Sequence, residues 1–413
     1  MSEKLAIKAI SKATGIGPEK VMQEWKTTGD LGGVAEKLIS KRKQKSLDSK
    51  ELTTQKVLEN LRKLPEMEGK GSISKKLNII VELLSSAKPL EAKYIVRTII
   101  GDLRIGIQES TIRDALAEAF FEKSASSKIQ EALDRSNDLA KVFEACKTKN
   151  LKSLAQFEIE VGKPIKVMLA QKVSTIEEGF KALGKPCAIE YKYDGFRLVI
   201  HKKGKEVILF TRRLENVTKQ FPEVVENVLK YVKGDSFILD SEAIGYDKKT
   251  KKYTPFQAIS QRIKRKYGIE KLCKELPVEV HVFDILHYNG KSVVNEPFKK
   301  RTAMLKRIII KKPYKIVPAK QIITSDEKKA KEFYKMALKD NQEGVMMKNL
   351  NAKYKPGKRV GYMLKIKPEE RDLDLVITGA EYGKGKRKGW FSSFILSCKK
   401  GNEYLEVLSL IHI

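Results

Sequence analysis

The amino-acid sequence predicts a multidomain chain: an all-α region first, an α+β region built on antiparallel sheets next, and part of a small β-barrel last. Three observations predict it. Up to about residue 158, apolar residues recur at the three-to-four spacing of amphipathic helices. Beyond a Gly-Lys-Pro hinge at Gly162, they fall instead in short, partly alternating runs separated by turn residues. At 413 residues and 41% hydrophobic composition, the chain is long enough for two to three buried cores.

The helical segments follow in order as "PEKVMQEWKTT", "LGGVAEKLI", "QKVLENLRKL", "SKKLNIIVELLSSA", "EAKYIVRTIIGDL" and "IRDALAEAFFEK". Asp30, Thr53 or Thr54, and Ser72 stand where N-caps belong, because their side-chain oxygens accept from the first free backbone amides. "GDLRIGIQEST", residues 101–111, interrupts the helices with two glycines around Arg104. It reads as a glycine cap with a restart at Ser110 or Thr111. The same loop lies near Lys93, Arg97 and Arg104 in sequence, a set that can pair with a phosphate chain.

After the hinge the strands are "CAIEYK", "FRLVIHK", "EVILFTR", "SFILDSEAIGY", "VEVHVFDILHY", "GVMMKNL" and "YMLKIK". Helical segments such as "FPEVVENVLKYV" and "DEKKAKEFYKMALKD" intervene. From about residue 371, "LDLVITGAEYG", "FSSFILSCKKG" and "EYLEVLSL" read as the first strands of a barrel. About forty residues are too few to close one. The expected divisions are residues 1–160, 161–370 and 371–413.

Composition narrows function. The net charge of +31, from 83 Lys+Arg against 52 Asp+Glu, favours a polyanionic partner such as nucleic acid, bound with counterion release. No apolar run approaches the length of a membrane span, so no membrane partner is expected. The four cysteines lie far apart with no CxxC pair, which excludes a zinc-ribbon or disulfide scaffold and suits a reducing cytoplasm.

One stretch raises a chemical question. In "CAIEYKYDGFRLVI", Lys192 lies between Glu190 and Asp194, followed by Gly195 and Arg197. Either Asp194-Gly195 is a hairpin turn with its charges in water, or Lys192 is a nucleophile and the rest its scaffold. Downstream residues suit the second reading. Asp240 and Glu242 are two apart, so both project from one strand face. Arg212, Phe283, Glu343, Lys365 and Lys367 also fall on or beside strands. A nucleophilic lysine must lose its proton, and nearby cations such as Lys365 and Lys367 disfavour an ammonium form. Glu343 and Asp240 suit a hard Mg²⁺ ion, and Phe283 offers a flat face to a purine.

These blocks resemble the ordered signature motifs of the covalent nucleotidyltransferases, most closely the archaeal and eukaryotic ATP-dependent DNA ligases. The similarity runs from about residue 3 to residue 407 and includes the helical "GDLGGVAEKL" and "EAKYIVRTIIGDLRIGI". The resemblance implies a helical DNA-binding domain, an adenylation domain and an incomplete OB-fold. It implies that Lys192 forms a covalent lysyl-AMP and that Glu190 reads the adenine amino group. Arg197, Arg212, Glu242, Phe283, Arg359 and Lys365, with Lys367, would complete the nucleotide site. Glu343 and Asp240 would hold Mg²⁺, and Lys93, Arg97 and Arg104 would touch DNA. The implied activity is sealing of nicked duplex DNA with ATP, in replication, repair and recombination. It further implies a monomer, near the nucleoid of a prokaryote, with a sliding clamp as an optional partner.

Three features depart from that pattern. Met363 replaces the usual Trp in "GYMLKIK". The family's terminal basic motif, which orients pyrophosphate, has no counterpart, and the start falls inside the DNA-binding domain, so the chain is expected to be truncated at both ends. The last residues, "LSLIHI", match a translated sequencing-library transposon end and are expected to lie outside the family sequence. Alternative readings are an RNA ligase or capping-type enzyme, which usually lacks a helical N-terminal domain, and a non-catalytic DNA-binding protein, which needs no nucleophile. An NAD-dependent ligase would carry a zinc-binding cysteine cluster.

Overall fold

The computed structural model describes residues 2–42, 51–67, 69, 71–265, 267–368, 373–383, 387, 389–401 and 403–410. Its contacts divide the chain into two units, Met1–Ile107 with Arg371–Ile413, and Gln108–Glu370. The composition change near residue 160 is therefore not the contact boundary. Helices from residue 109 onward group with the sheets that follow, through Lys166 on Glu109 (2.6 Å) and Lys358 near Glu131 (3.7 Å).

The first unit opens with helices α1 (Glu3–Thr14), α2 (Pro18–Thr28), α3 (Leu31–Ser40), α4 (Thr54–Glu66), α5 (Ser72–Ser86) and α6 (Pro89–Ile100). The Asp30 carboxylate accepts from Gly32 N–H at 3.0 Å, and the Thr53 hydroxyl from Lys56 N–H at 3.2 Å, as N-caps should. Ser72 is not a cap but the first helical residue. Gly71 precedes it at φ 82, a left-handed turn that glycine adopts without strain. At the other end, Gly101 closes α6 at φ 75. The next helix restarts at Glu109 rather than at Ser110 or Thr111, with Gln108 as its N-cap. Ile10, Val34, Leu83 and Val96 lie in the shared core of this unit.

The second unit continues with α7 (Glu109–Phe120), α8 (Ser126–Ser136), α9 (Leu139–Lys147) and α10 (Leu151–Ala155). There follow β1 (Leu169–Lys172), α11 (Ile176–Leu183), β2 (Cys187–Lys192), β3 (Phe196–Lys203), β4 (Glu206–Thr211), α12 (Pro222–Tyr231) and β5 (Ser236–Tyr246). Next come β6 (Tyr253–Thr254), α13 (Phe256–Lys264), α14 (Ile269–Glu275), β7 (Val278–Tyr288), β8 (Lys291–Ser292) and α15 (Phe298–Ile308). The unit ends with β9 (Ile316–Pro318), β10 (Gln321–Thr324), α16 (Glu327–Lys339), β11 (Gly344–Lys348) and β12 (Arg359–Ile366).

Two sheets result. One runs β1-β12-β11-β2-β10; the other runs β4-β3-β5-β7-β8, with β6 on β5 and β9 on β7. Pairing is antiparallel as expected, except for the parallel pairs β1/β12 and β7/β9. One apolar core lies under α12 and α15, and a second under α11 and α16. Met168, Val199, Ile238 and Met363 belong to a third, formed from residues of both sheets. Met363 is thus core where the family resemblance expects Trp.

The hairpin reading of Asp194-Gly195 is overturned. Strand β2 pairs with β10 and β11, whereas β3 pairs with β4 and β5. Residues 193–195 carry the chain from one sheet to the other. A Cβ on Gly195 would meet the Ala243 carbonyl and the Glu242 side chain, so only glycine fits the crossing.

The C-terminal strands β13 (Val376–Tyr382), β14 (Phe391–Lys400) and β15 (Glu403–Leu410) form an antiparallel sheet with β14 central. Of the terminal "LSLIHI", Leu408 and Ser409 continue the ladder opposite Leu396 and Ile395. Residues 411–413 lie outside the described residues. Among the described residues no helix is long and apolar enough to cross a membrane.

Gly344 opens β11 at φ 142, and a Cβ there would meet the Ile366 carbonyl and the Lys367 backbone. Gly344→Ala is expected to strain that backbone and lower stability by about 2–4 kcal/mol. Thermal unfolding should show a midpoint several degrees below the parent.

Candidate active site

A cavity of about 1110 Å³ is lined by residues of both sheets and of α13. Each wall position follows from strand register. Lys192 ends β2, and its carbonyl accepts from Glu343 N–H at 2.9 Å, which sets Glu343 beside it. The Lys192 ammonium then donates to Glu343 Oε2 at 2.6 Å. Lys367 also ion-pairs with Glu343. On the facing sheet Arg197 lies opposite Glu242 in the β3/β5 ladder. Phe283 projects from β7, with the Arg197 guanidinium 5.3 Å from its ring centre. Lys365 and Arg359 project from β12, and the Arg359 guanidinium donates to the Ala170 carbonyl at 2.6 Å. Arg212 follows β4 on the exposed rim and has no ion pair among the described residues.

The structure brings Lys192, Glu190, Arg197, Arg212, Glu242, Phe283, Glu343, Arg359 and Lys365 onto one cavity wall or another. Two expected residues stand apart. Asp240 does not line the cavity and is wholly buried. Arg197 Nε donates to its Oδ1 at 2.8 Å and the Tyr354 hydroxyl donates to its Oδ2 at 2.7 Å. The expectation that Asp240 holds a metal is thereby corrected: its oxygens are spent on positioning Arg197. Period-two spacing identified the strand face but not how deeply each residue on it is buried. Lys367 lies one residue past β12 and reaches the site only through Glu343.

The charges are unevenly satisfied. Burial alone would raise the Glu343 carboxyl, but hydrogen bonds from Lys192 and Lys367 outweigh it and hold the group below the usual range. Burial pushes Lys365 down, and the like charges of Lys192, Lys367 and Arg359 push it further. Glu242 is pushed up to about 8, chiefly by burial and then by the charges of Asp240 and Glu343, against the pull of Arg197 and Lys192. A cationic cavity with one aromatic face suits a polyanion that carries a flat ring.

Tyr354 was not singled out in advance, and Lys348 was given no role. Tyr354, in the loop before β12, accepts from Met168 N–H at 3.0 Å while donating to Asp240. Nothing local in "NAKYKPGKR" marks it, because its partners are more than a hundred residues away. Lys348 is 5% exposed, yet it lies on a strand of apolar residues, and that was the available signal.

The three cations expected to touch DNA are engaged within their own unit. Lys93 pairs with Glu36 at 2.7 Å and Arg97 with Asp30 at 2.5 Å. Arg104, at φ 54, pairs with Asp102 at 3.0 Å and donates to the Gly29 carbonyl.

Known proteins are similar to this chain. Residues 167–367 match the family described as "ATP dependent DNA ligase domain", and residues 1–117 match "DNA ligase N terminus". The DNA ligase of Nanoarchaeum equitans is 49% identical over 409 residues, 98% of this chain and 72% of that protein. That of Methanopyrus kandleri is 41% identical over 399 residues, 96% of this chain and 71% of that one. The solved structure "Pmar-Lig_PreS3" shares the fold with a TM-score of 0.53 at 18% identity, over 95% of this chain and 87% of its own. The chain belongs to the ATP-dependent DNA ligase family.

Glu242 generates a prediction with a defined sign. With a folded-state value of about 8 against 4.5, the folded chain holds a proton that the unfolded chain has lost across that window. Its contribution to stability therefore falls as pH rises from about 4.5 to about 8. Glu242→Gln should flatten that slope relative to the parent when unfolding midpoints are compared at pH 5, 6.5 and 8.

Proposed function

We propose that this chain seals 5′-phosphate/3′-hydroxyl nicks in duplex DNA with ATP, and that Lys192 carries AMP between the two. The carrying observation is the placement of Lys192 on the wall of the cationic cavity, with Phe283, Arg197 and Lys365 around it.

The steps are phosphoryl and nucleotidyl transfers, in which positioning and charge neutralisation supply most of the acceleration. Lys192 Nζ first leaves its hydrogen bond with Glu343 and gives up a proton to solvent water. Its lone pair then forms an N–P bond to the α-phosphorus of ATP, and the bond to pyrophosphate breaks. Lys365 and Arg359 face the phosphate charge that develops. Phe283 stacks on the adenine, with Glu190 at its amino group and Glu242 and Arg212 toward the ribose and the nick. AMP passes next to the 5′-phosphate oxygen at the nick, and Lys192 is freed. Attack by the 3′-hydroxyl on that activated phosphate expels AMP and closes the strand.

Mg²⁺ fits part of this wall. Such an ion is usually held by one or two carboxylates plus phosphate oxygens, and it would offset phosphate charge. Glu343 reaches the cavity and can serve; Asp240 is wholly buried off the cavity and paired with Arg197, so it does not offer itself. Among the described residues no group of three His, Cys, Asp or Glu forms a metal cage, which leaves the nucleotide's own phosphates to complete the coordination. The +31 charge supports DNA as the partner. The reading extends to a monomer acting near the nucleoid in a cytoplasm, with a sliding clamp as an optional partner. Residues 1–160 would take DNA, 161–370 adenylate and 371–413 contribute to an OB-fold.

Incubation with radiolabelled ATP and Mg²⁺ should leave label on the denatured chain, and Lys192→Ala should remove it by at least about 1,000-fold. A nick supplied already adenylylated should be sealed even by a chain that labels poorly. Tight DNA binding with no sealing of that substrate would count against the enzyme. Duplex affinity should fall by roughly 10³-fold or more between 50 and 200 mM salt, measured by anisotropy, with little dependence on sequence.

A further inference from the structure

The cavity floor holds a buried ion pair between Glu190 and a lysine that the steps above do not use. Lys348 Nζ lies 2.6 Å from Glu190 Oε2, with the two side chains 6% and 3% exposed. The same ammonium faces two rings, 4.8 Å from the centre of Phe283 and 4.6 Å from that of Phe298. Its donors are thus directed at one carboxylate and two aromatic faces, so it cannot swing to another partner without losing all three. The other Glu190 oxygen is held too. Gln321 lies opposite Glu190 in the β2/β10 ladder, and its Nε2 donates to Oε1 at 2.8 Å. Gln321 is itself oriented, because its Oε1 accepts from Lys306 Nζ at 3.2 Å and its Nε2 also approaches Thr302 Oγ1 at 3.3 Å.

Each Glu190 oxygen therefore has one donor from the chain and one lone pair to spare. We infer that Lys348 and Gln321 are positioning residues for base recognition: with one donor on each oxygen they fix the Glu190 carboxylate as a hydrogen-bond acceptor, so that the site selects a purine bearing a 6-amino donor. The inference rests on the nucleotide reading of the cavity given above.

The physical reason is the cost of the alternatives. A carboxylate buried without its counter-charge takes up a proton or turns toward water. A neutral carboxyl makes hydrogen bonds about half as strong as a charged one. Removing Lys348 thus weakens specifically the contact with the amino group. A purely structural loss would weaken every nucleotide alike. So would loss of a direct contact from Lys348 to a ring nitrogen, because that nitrogen remains when the amino group is absent.

The test compares equilibrium binding of ATP with that of purine riboside 5′-triphosphate, which lacks the 6-amino group, in the full chain. The parent should favour ATP by roughly 10–100-fold, the usual worth of a charged hydrogen bond. Lys348→Met should cut that ratio about tenfold, and Lys348→Arg should retain most of it. Gln321→Leu, at a more exposed position, should cut it about threefold and serves if Lys348→Met unfolds, as judged by thermal melting. An unchanged ratio in folded Lys348→Met, or in Gln321→Leu where that variant must serve, overturns the inference while leaving the nucleotide site intact. Failure of the parent to bind ATP at all overturns the reading of the cavity, and this inference with it.

Discussion

The site depends on the passage of the chain between two sheets over three residues, Tyr193 to Gly195. The crossing is short, and the chain bends at Asp194 and Gly195. It makes Lys192 the last residue of one wall and Arg197 the second strand residue of the other. Its ends are fixed. Gly195 lies against the Ala243 carbonyl with no room for a side chain. Tyr193 is buried against His281, ring centres 4.2 Å apart, and its hydroxyl accepts from Lys320 N–H at 2.8 Å. A longer crossing would let the walls slide relative to each other and would separate the amine from the aromatic and cationic groups opposite.

Charge is then distributed over those walls with a consistent result. Three of the acids in or behind them are each claimed by a cation of the chain: Glu190 by Lys348, Asp240 by Arg197, and Glu343 by Lys192 and Lys367. Burial leaves another, Glu242, inclined to keep its proton, and Glu215 lines the rim. Arg212, Arg359 and Lys365 remain as surplus facing the cavity. A polyphosphate entering it meets cations without having to displace carboxylates, except at Glu343. In the proposed function, that one carboxylate is where a divalent ion would replace an ammonium.

How much of this was legible in the sequence follows from the range of each interaction. Lys192, Glu190 and Arg197 were legible because a strand end and a strand start are local events, whereas the crossing at Asp194-Gly195 was not, because which sheet each strand joins is a tertiary property. The caps Asp30 and Thr53 were readable as local events too, and Ser72 misled because a glycine in a left-handed turn replaced a side-chain cap. Alternation placed Asp240 and Glu242 on one face, but depth is a tertiary property. It took Tyr354 and Arg197, both from elsewhere in the chain, to bury Asp240. The parallel pairing of β1 with β12 joins residues nearly two hundred positions apart, and no periodicity announces it. The boundary near residue 160 marks where secondary structure changes type; contacts do not follow it, because ion pairs such as Lys166 with Glu109 cross it.

The same distinction between local and tertiary roles bears on the helical cations. Exposed ion pairs contribute only about 0–1 kcal/mol, so a phosphate can displace one readily. Lys93 and Glu36 are of that kind, with side chains 24% and 34% exposed. Arg97 is not: its side chain is 11% exposed and it binds the same Asp30 that caps α3. Burial would raise the Asp30 carboxyl, and the Arg97 hydrogen bond with the Gly33 amide keeps it charged. Drawing Arg97 onto a phosphate would leave the partly buried Asp30 carboxylate, which caps α3, without its cation. Arg104 is tied in turn to the Gly29 carbonyl, one residue before that cap. Arg97 and Arg104 therefore shape the loop between α6 and α7, and of the three only Lys93 can change partners cheaply. Phosphate binding by this unit would then draw on Lys93 and other surface lysines, with the two arginines fixing the backbone that presents them.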